Sequence, residues 1–161
     1  MTGADRRAPT PSKSPAGGPA DCPFCQRMRS PELLRRELVY EDDAFHASHP
    51  INADGPSFLG SVLLQTKRHV PNLGRLNDTE ARSLGTAVVR ISRAIEQCTG
   101  APWTYCYTFL EAVPHLHLFV VARYADLPKE HVRLGALEWP GAPRGTPQEV
   151  AELCQRLRAS V

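Results

Sequence analysis

Cys22 and Cys25 stand two residues apart, with Pro23 and Phe24 between them. Far along the chain, Val113-Pro114-His115-Leu116-His117-Leu118-Phe119-Val120-Val121 sets polar, reactive side chains against large apolar ones in strict alternation. The cysteine spacing fits a zinc knuckle, a redox dithiol or chance. No βαβ pattern follows it, which argues against a thioredoxin-like dithiol, whereas His69 and His115 are available to complete a Cys₂His₂ tetrahedron. A lone histidine is most often structural. A pair at alternate positions of an apolar strand is costly to desolvate without a task, and imidazole is both a metal ligand and a nucleophile.

Successive side chains of a strand point to opposite faces, so Leu116, Leu118 and Val120 are expected in the core, with His115, His117 and Phe119 on the other face. Short β-prone runs at 38–40, 44–48 and 61–65, separated by acidic or Gly/Pro punctuation, suggest an antiparallel meander, with a loop over 50–60. Asn77 stands three residues before Glu80, the capping-box spacing, and Ala81, Leu84, Val88, Ile91, Ile95 and Cys98 then recur at helical intervals until Gly100. A strand over 103–110 leads back to the histidines. Thr146 and Glu149 repeat the capping-box spacing before a last helix with Val150, Leu153, Cys154 and Leu157 on its apolar side. Ser30-Pro31-Glu32 reads as the start of a short helix over Leu33 to Leu38. Together these elements predict an α+β domain, with a long helix and a C-terminal helix packed on an antiparallel sheet.

The chain has 161 residues, 42% hydrophobic and 22% charged, which suits one domain, expected over 22–161. Residues 1–21 are rich in Pro, Gly and Ser and carry no Leu, Ile, Val or Phe, so they are expected to form a disordered tail and not an export signal. The formal net charge of +2 comes from interspersed charges, which argues against binding a nucleic acid polymer. No apolar run is long enough to cross a membrane. An odd count of five cysteines favours reduced thiols and a cytoplasmic protein.

The stretch 113–118 resembles the signature of the histidine triad superfamily of nucleotidyl hydrolases and transferases, in which histidines alternate with apolar residues. Cys22-Pro-Phe-Cys25, Tyr40-Glu-Asp-Asp43, Lys67-Arg-His69 and Leu76-Asn-Asp-Thr-Glu-Ala81 extend the likeness over most of 22–124. The resemblance implies a structural zinc held by Cys22, Cys25, His69 and His115, a homodimer, and a small nucleotide or nucleotide conjugate as ligand. It also implies that His117 attacks the α-phosphorus to form a covalent nucleotidyl intermediate. Phe24, Phe45, His46, Glu111 and Phe119 then fall at positions that contact nucleotide or phosphate. His46, His49 and His131 have no matching cysteine partners and are expected at the surface or in a pocket.

The chain departs from the family pattern at three places. Phe119 replaces the third histidine, Glu111 stands where the family has glutamine, and Ala47 stands where it commonly has a ribose-binding aspartate. Three readings follow. One is a hydrolase or transferase acting on a phosphoanhydride, phosphoramidate or phosphoester. Another is a zinc-stabilised nucleotide-binding or interaction protein that has lost turnover. The third is an enzyme specialised for an unusual nucleotidylated metabolite.

Overall fold

The three early apolar runs pair in sequence, each turning back on the one before it, and the histidine strand then inserts between the third of them and the strand that precedes it. β1 (Leu38–Glu41), β2 (Phe45–Ser48), β4 (Ser61–Thr66), β6 (His117–Arg123) and β5 (Trp103–Tyr107) form a five-stranded sheet in the order β1-β2-β4-β6-β5. Every neighbouring pair is antiparallel. β3 (Ser57–Phe58) and β7 (Arg144–Gly145) make a separate two-stranded ladder. The helices that bear on the site are α1 (Pro23–Met28), α2 (Asp78–Thr99) and α3 (Pro147–Ser160). The structure, a computed structural model, describes residues 19–30, 35 and 37–161. Most of the helix expected from Ser30 onward and nearly all of the expected tail therefore lie outside the described residues; Arg35 and Glu37 are helical, and Leu38 already belongs to β1.

The central strand β4 is buried along its whole length, on both faces. A strand covered on both sides reads as a continuous apolar run, as Val62-Leu63-Leu64 does. On one face lie α2 and α3, and Val62, Leu64, Val120, Ile91, Ile95, Leu153 and Leu157 join in the main core. Leu116 and Leu118 are buried with Val70 in a smaller cluster against Leu84 and Val88 of α2. Ala81, expected in the α2 stripe, is exposed, and Ala87 and Ala94 are buried instead.

Both capping boxes form: Asn77 with Glu80, and Thr146 with Glu149. Gly100 ends α2 in the left-handed conformation, φ 74°, which a residue with a Cβ adopts only under strain. Asp42, in the β1–β2 turn, accepts the backbone N–H groups of Ala44 at 2.8 Å and Phe45 at 2.7 Å, the Tyr40 hydroxyl at 2.7 Å, and the Ser83 hydroxyl from α2. This carboxylate closes the turn and ties it to the helix.

Two boundaries differ from the sequence expectation. β5 stops at Tyr107, and the histidine strand begins at His117, with His115 in a bend before it. The chain leaves the ladder at His115 because its amide bonds Val113 O, and Leu116 N–H reaches Val70 O at 2.6 Å. The β3–β7 ladder draws one of its strands from the segment read as a loop over 50–60. It pairs residues almost ninety positions apart, so no local pattern announces it.

Glu80 has a second task beyond its cap. Its carboxylate takes the Arg68 guanidinium in a forked contact, Nε to Oε1 at 2.8 Å and Nη2 to Oε2 at 2.6 Å. The segment carrying His69 is thereby pinned to the start of α2. The Arg68 hydrogen bond, the largest influence, outweighs burial and holds the Glu80 carboxyl below its ordinary 4.5. A depressed carboxylate stabilises the fold above its unfolded value and loses that contribution as pH falls through the folded one. Glu80→Gln is expected to lower stability by about 1 kcal/mol at neutral pH. Urea unfolding of both proteins checks this, since the two stabilities should converge as the medium is acidified below 4.5. A gap that stays constant with pH contradicts the assignment.

Candidate functional site

Cys22 is the N-cap residue of α1, Pro23 opens the helix, and Cys25 lies in its first turn. A three-residue separation places both thiols on one side of the turn. There they meet His69, from the Arg68-anchored segment, and His115, from the bend before β6. Cys22 Sγ and Cys25 Sγ each lie 3.4 Å from His115 Nδ1, Cys25 Sγ lies 3.4 Å from His69 Nδ1, and the two Nδ1 atoms are 3.2 Å apart. All four donor atoms fall within 4.8 Å of one another. Around a tetrahedral ion with M–S about 2.3 Å and M–N about 2.0–2.1 Å, neighbouring donors stand roughly 3.3–3.8 Å apart. The cluster has nearly those edges.

The orientation of His115 supports the same reading. Its Nε2 faces the Thr66 carbonyl at 2.8 Å, with the Thr66 hydroxyl at 3.2 Å. A carbonyl can only accept, so Nε2 carries the proton and Nδ1 presents its lone pair to the thiols. Burial, the largest influence, holds this imidazole below its ordinary value of 6.5 and favours the neutral, ligating form. The residues present therefore fit a metal with thiolate and imidazole preferences.

His117 is oriented by the residue two positions before it. Its Nδ1 lies 2.8 Å from the His115 carbonyl, so Nδ1 donates and the Nε2 lone pair is left to act. Phe24 of α1 lies against the ring, centroids 4.5 Å apart, and Phe119 meets it edge-on at 5.8 Å. Phe119 itself stacks on Tyr107 across the β5–β6 pair, at 5.6 Å. Beyond it lies a cavity of about 230 Å³, lined also by Ser61, Asn52 and Arg144.

Strand register decides which of the other candidates join His117. His46 lies opposite Gln65, and Gln65 lies opposite His117, so the three share one face at one end of the sheet. His46 is buried and its pKa is lowered to about 4, chiefly by desolvation. The structure thus brings Phe24, His46 and Phe119 to His117. It does not bring Phe45, which is buried in the main core on the face opposite to His46, nor Glu111, which is exposed in the loop before β6. Ala47 is likewise a core residue. His49 is buried and structural, its Nδ1 on Pro50 O at 2.8 Å and its Nε2 accepting from Gly60 N–H at 3.2 Å. His131 lies in a 3-10 turn away from these groups.

Sequence reasoning missed Gln65 and Arg27. Gln65 ends an apolar strand run, and a buried amide there is the only local signal. Its position beside His117 needs the register. Arg27 of α1 pairs with Glu37, and its charge reaches His46.

Comparison with solved structures gives this arrangement its context. A Hit-like protein involved in cell-cycle regulation from Bartonella henselae superposes with a TM-score of 0.63 at 22% identity, over 90% of this chain and 100% of that one. A Zn-bound histidine triad family protein from Mycobacterium smegmatis gives 0.62 at 22% identity, over 87% and 92%. The chain has the histidine triad fold. A hypothetical histidine triad nucleotide-binding protein from Sulfolobus tokodaii shares it, with a TM-score of 0.57 at 22% identity over 77% of this chain and 82% of that one. No family model and no curated protein matches the sequence. His115, which belongs to the four-donor cluster, and His117, which does not, stand two residues apart, one in the bend and the other at the start of β6.

Protein purified without chelator is expected to carry about one divalent metal per chain. Cys22→Ser should lower both the metal content and the melting temperature, because binding and folding are coupled. Elemental analysis with thermal melts measures both, and less than a tenth of an equivalent in the unmutated protein contradicts the site.

Proposed function

We propose that the chain is a histidine triad nucleotidyl hydrolase or transferase that acts through His117, with a structural zinc at Cys22, Cys25, His69 and His115. The observation that carries this reading is the 2.8 Å contact between His117 Nδ1 and the His115 carbonyl. It holds the proton on Nδ1, so Nε2 keeps its lone pair, and it places a carbonyl dipole where the ring becomes positive as it bonds to phosphorus. Zinc, when bound, fixes the bend that carries both histidines.

In this reading His117 Nε2 attacks the α-phosphorus of a nucleotide conjugate. The bond from phosphorus to the leaving oxygen or nitrogen breaks, and the leaving group takes the electron pair and a proton from solvent, which regains one when water opens the intermediate. Water or another acceptor then attacks the phosphorus and breaks the P–N bond, releasing the nucleotide and restoring the imidazole. Splitting one displacement into two lowers each barrier. Phe24 packs on the His117 ring and keeps it from rotating out of line. The exposed edge at β5, where Trp103 is 57% exposed, is the surface we assign to pairing with a second copy of the chain.

One observation favours a second reading. Phe119 is held in an aromatic stack with Tyr107 and offers no hydrogen-bond donor to a transition state. That geometry suits a nucleotide-binding protein without turnover, or an enzyme restricted to one unusual conjugate.

Incubating the purified protein with adenosine and guanosine phosphoramidates and dinucleoside polyphosphates should yield nucleoside monophosphate and a nucleotidyl adduct visible by intact mass. His117→Ala is expected to abolish both while metal content and melting temperature stay unchanged. Phe119→His should raise the rate on generic conjugates by up to about 10²-fold, the scale of one transition-state donor. A wild type that binds nucleotide yet turns over none of these, with Phe119→His equally inert, would establish the binding-protein reading instead.

A further inference from the structure

Among the described residues, the buried side-chain nitrogen and oxygen atoms without a hydrogen-bond partner number five, and they belong to three residues: Arg27, His46 and Gln65. Both ring nitrogens of His46 and both amide atoms of Gln65 are among them. His46 is 2% exposed and Gln65 1%. Each unsatisfied polar group in such a setting costs about 1–3 kcal/mol, and folded proteins hold few of them.

These orphaned groups are not scattered. Gln65 stands between His46 and His117 in one cross-strand row. Arg27 comes from α1, whose Phe24 lies against His117 and whose Arg27 charge reaches His46. Helix α1 is therefore the roof of the row, and β2, β4 and β6 are its floor. The unsatisfied atoms thus belong to the two strand positions in the cross-strand row with His117 and to the helix packed over it. On the opposite flank of His117, Phe119 and Tyr107 close the space with aromatic carbon.

The chemistry of the orphaned set identifies its ligand. The Gln65 amide brings an N–H₂ donor and a carbonyl acceptor, the Arg27 Nε–H is a charged donor, and His46, kept neutral by desolvation, brings one donor and one acceptor. Donors outnumber acceptors, and the Arg27 guanidinium, paired with Glu37 through Nη2, still has its Nε–H to offer. A group rich in acceptor oxygens with a hydroxyl nearby, such as the phosphoryl ester of a nucleotide, satisfies them together. A purely apolar ligand leaves them all unsatisfied.

We propose that Gln65, with Arg27 and His46, forms a hydrogen-bonding subsite for the phosphoryl oxygens of the group held at His117, and that the Gln65 amide supplies the donor that Phe119 cannot. This inference rests on the nucleotide reading above and assigns the phosphoryl contact within it. The donor has moved from the neighbouring position on β6 to the facing position on β4, and remains directly across from the nucleophile.

Gln65→Met tests it, since methionine has nearly the same shape without the amide. AMP affinity by calorimetry, turnover of adenosine phosphoramidate and the ligand-free melting temperature are measured for wild type, Gln65→Met, Phe119→His and the double variant. Removing an unpartnered buried amide should leave the ligand-free melting temperature equal or higher. AMP affinity should fall at least about tenfold, and turnover by about 10²-fold. Phe119→His should then restore more activity in the Gln65→Met background than in the wild type, because the two positions supply one donor between them. Gln65→Glu, which keeps shape and polarity but adds negative charge, should lose AMP binding further and serves if the methionine variant does not fold. Gln65→Met or Gln65→Glu binding AMP as the wild type does overturns the subsite while leaving the nucleotide reading intact. A wild type that binds neither AMP nor GMP and turns over no phosphoramidate overturns the nucleotide reading itself, before any variant is compared.

Discussion

His115 is the residue on which the site depends. Its Nδ1 faces two thiols and a second imidazole, its Nε2 is held by the Thr66 carbonyl, and its own carbonyl fixes the proton of His117. One residue thus couples a four-donor cluster, the end of β4 and the orientation of the reactive ring. The coupling explains why His115 sits in a bend and not in the ladder. A residue in regular antiparallel pairing spends its backbone on the neighbouring strand, whereas here the carbonyl is turned toward a side chain two positions on.

The rest of the fold places this bend. α1 is too short to be stable alone, and its anchor to the sheet is the convergence of Cys22 and Cys25 on His69 and His115. His69 is positioned from the other side, where Arg68 is clamped by the capping carboxylate of α2. Helix capping, which is a local matter, thereby contributes to the geometry of a remote cluster. Behind them, β4 and β6 are held by the apolar face of α2, so the end of the sheet that carries the site is backed by the core.

Polar burial is concentrated where the core is not. His46 and Gln65 lie on the face away from α2, one strand apart, with their hydrogen-bonding capacity unspent. Phe119 adds the opposite property on the far flank of His117. The site therefore has a polar side and an aromatic side, and His117 stands at the boundary between them. In the reading proposed above, such asymmetry would orient a ligand, an oxygen-rich group on one side and an apolar or stacking group on the other, next to the cavity that Arg144 borders.

Much of this was legible in the residues themselves. Periodicity identified α2 and α3, since an amphipathic stripe and a capping box are local properties, and alternation identified β6 and the burial of Leu116, Leu118 and Val120. The two thiols of the cluster were recognisable by their short spacing, and the resemblance to the histidine triad pattern supplied His69 and His115 as their partners. Other features depend on which strand lies beside which, and at what offset. Phe45 and His46 are adjacent in sequence, yet the pleat sends one into the core and the other to the site. Gln65 carries no local mark of function, and becomes a neighbour of His117 only through the β4–β6 register. Composition and spacing determined the elements and the chemical repertoire. Long-range pairing, which no local window contains, decided which of those groups share a face.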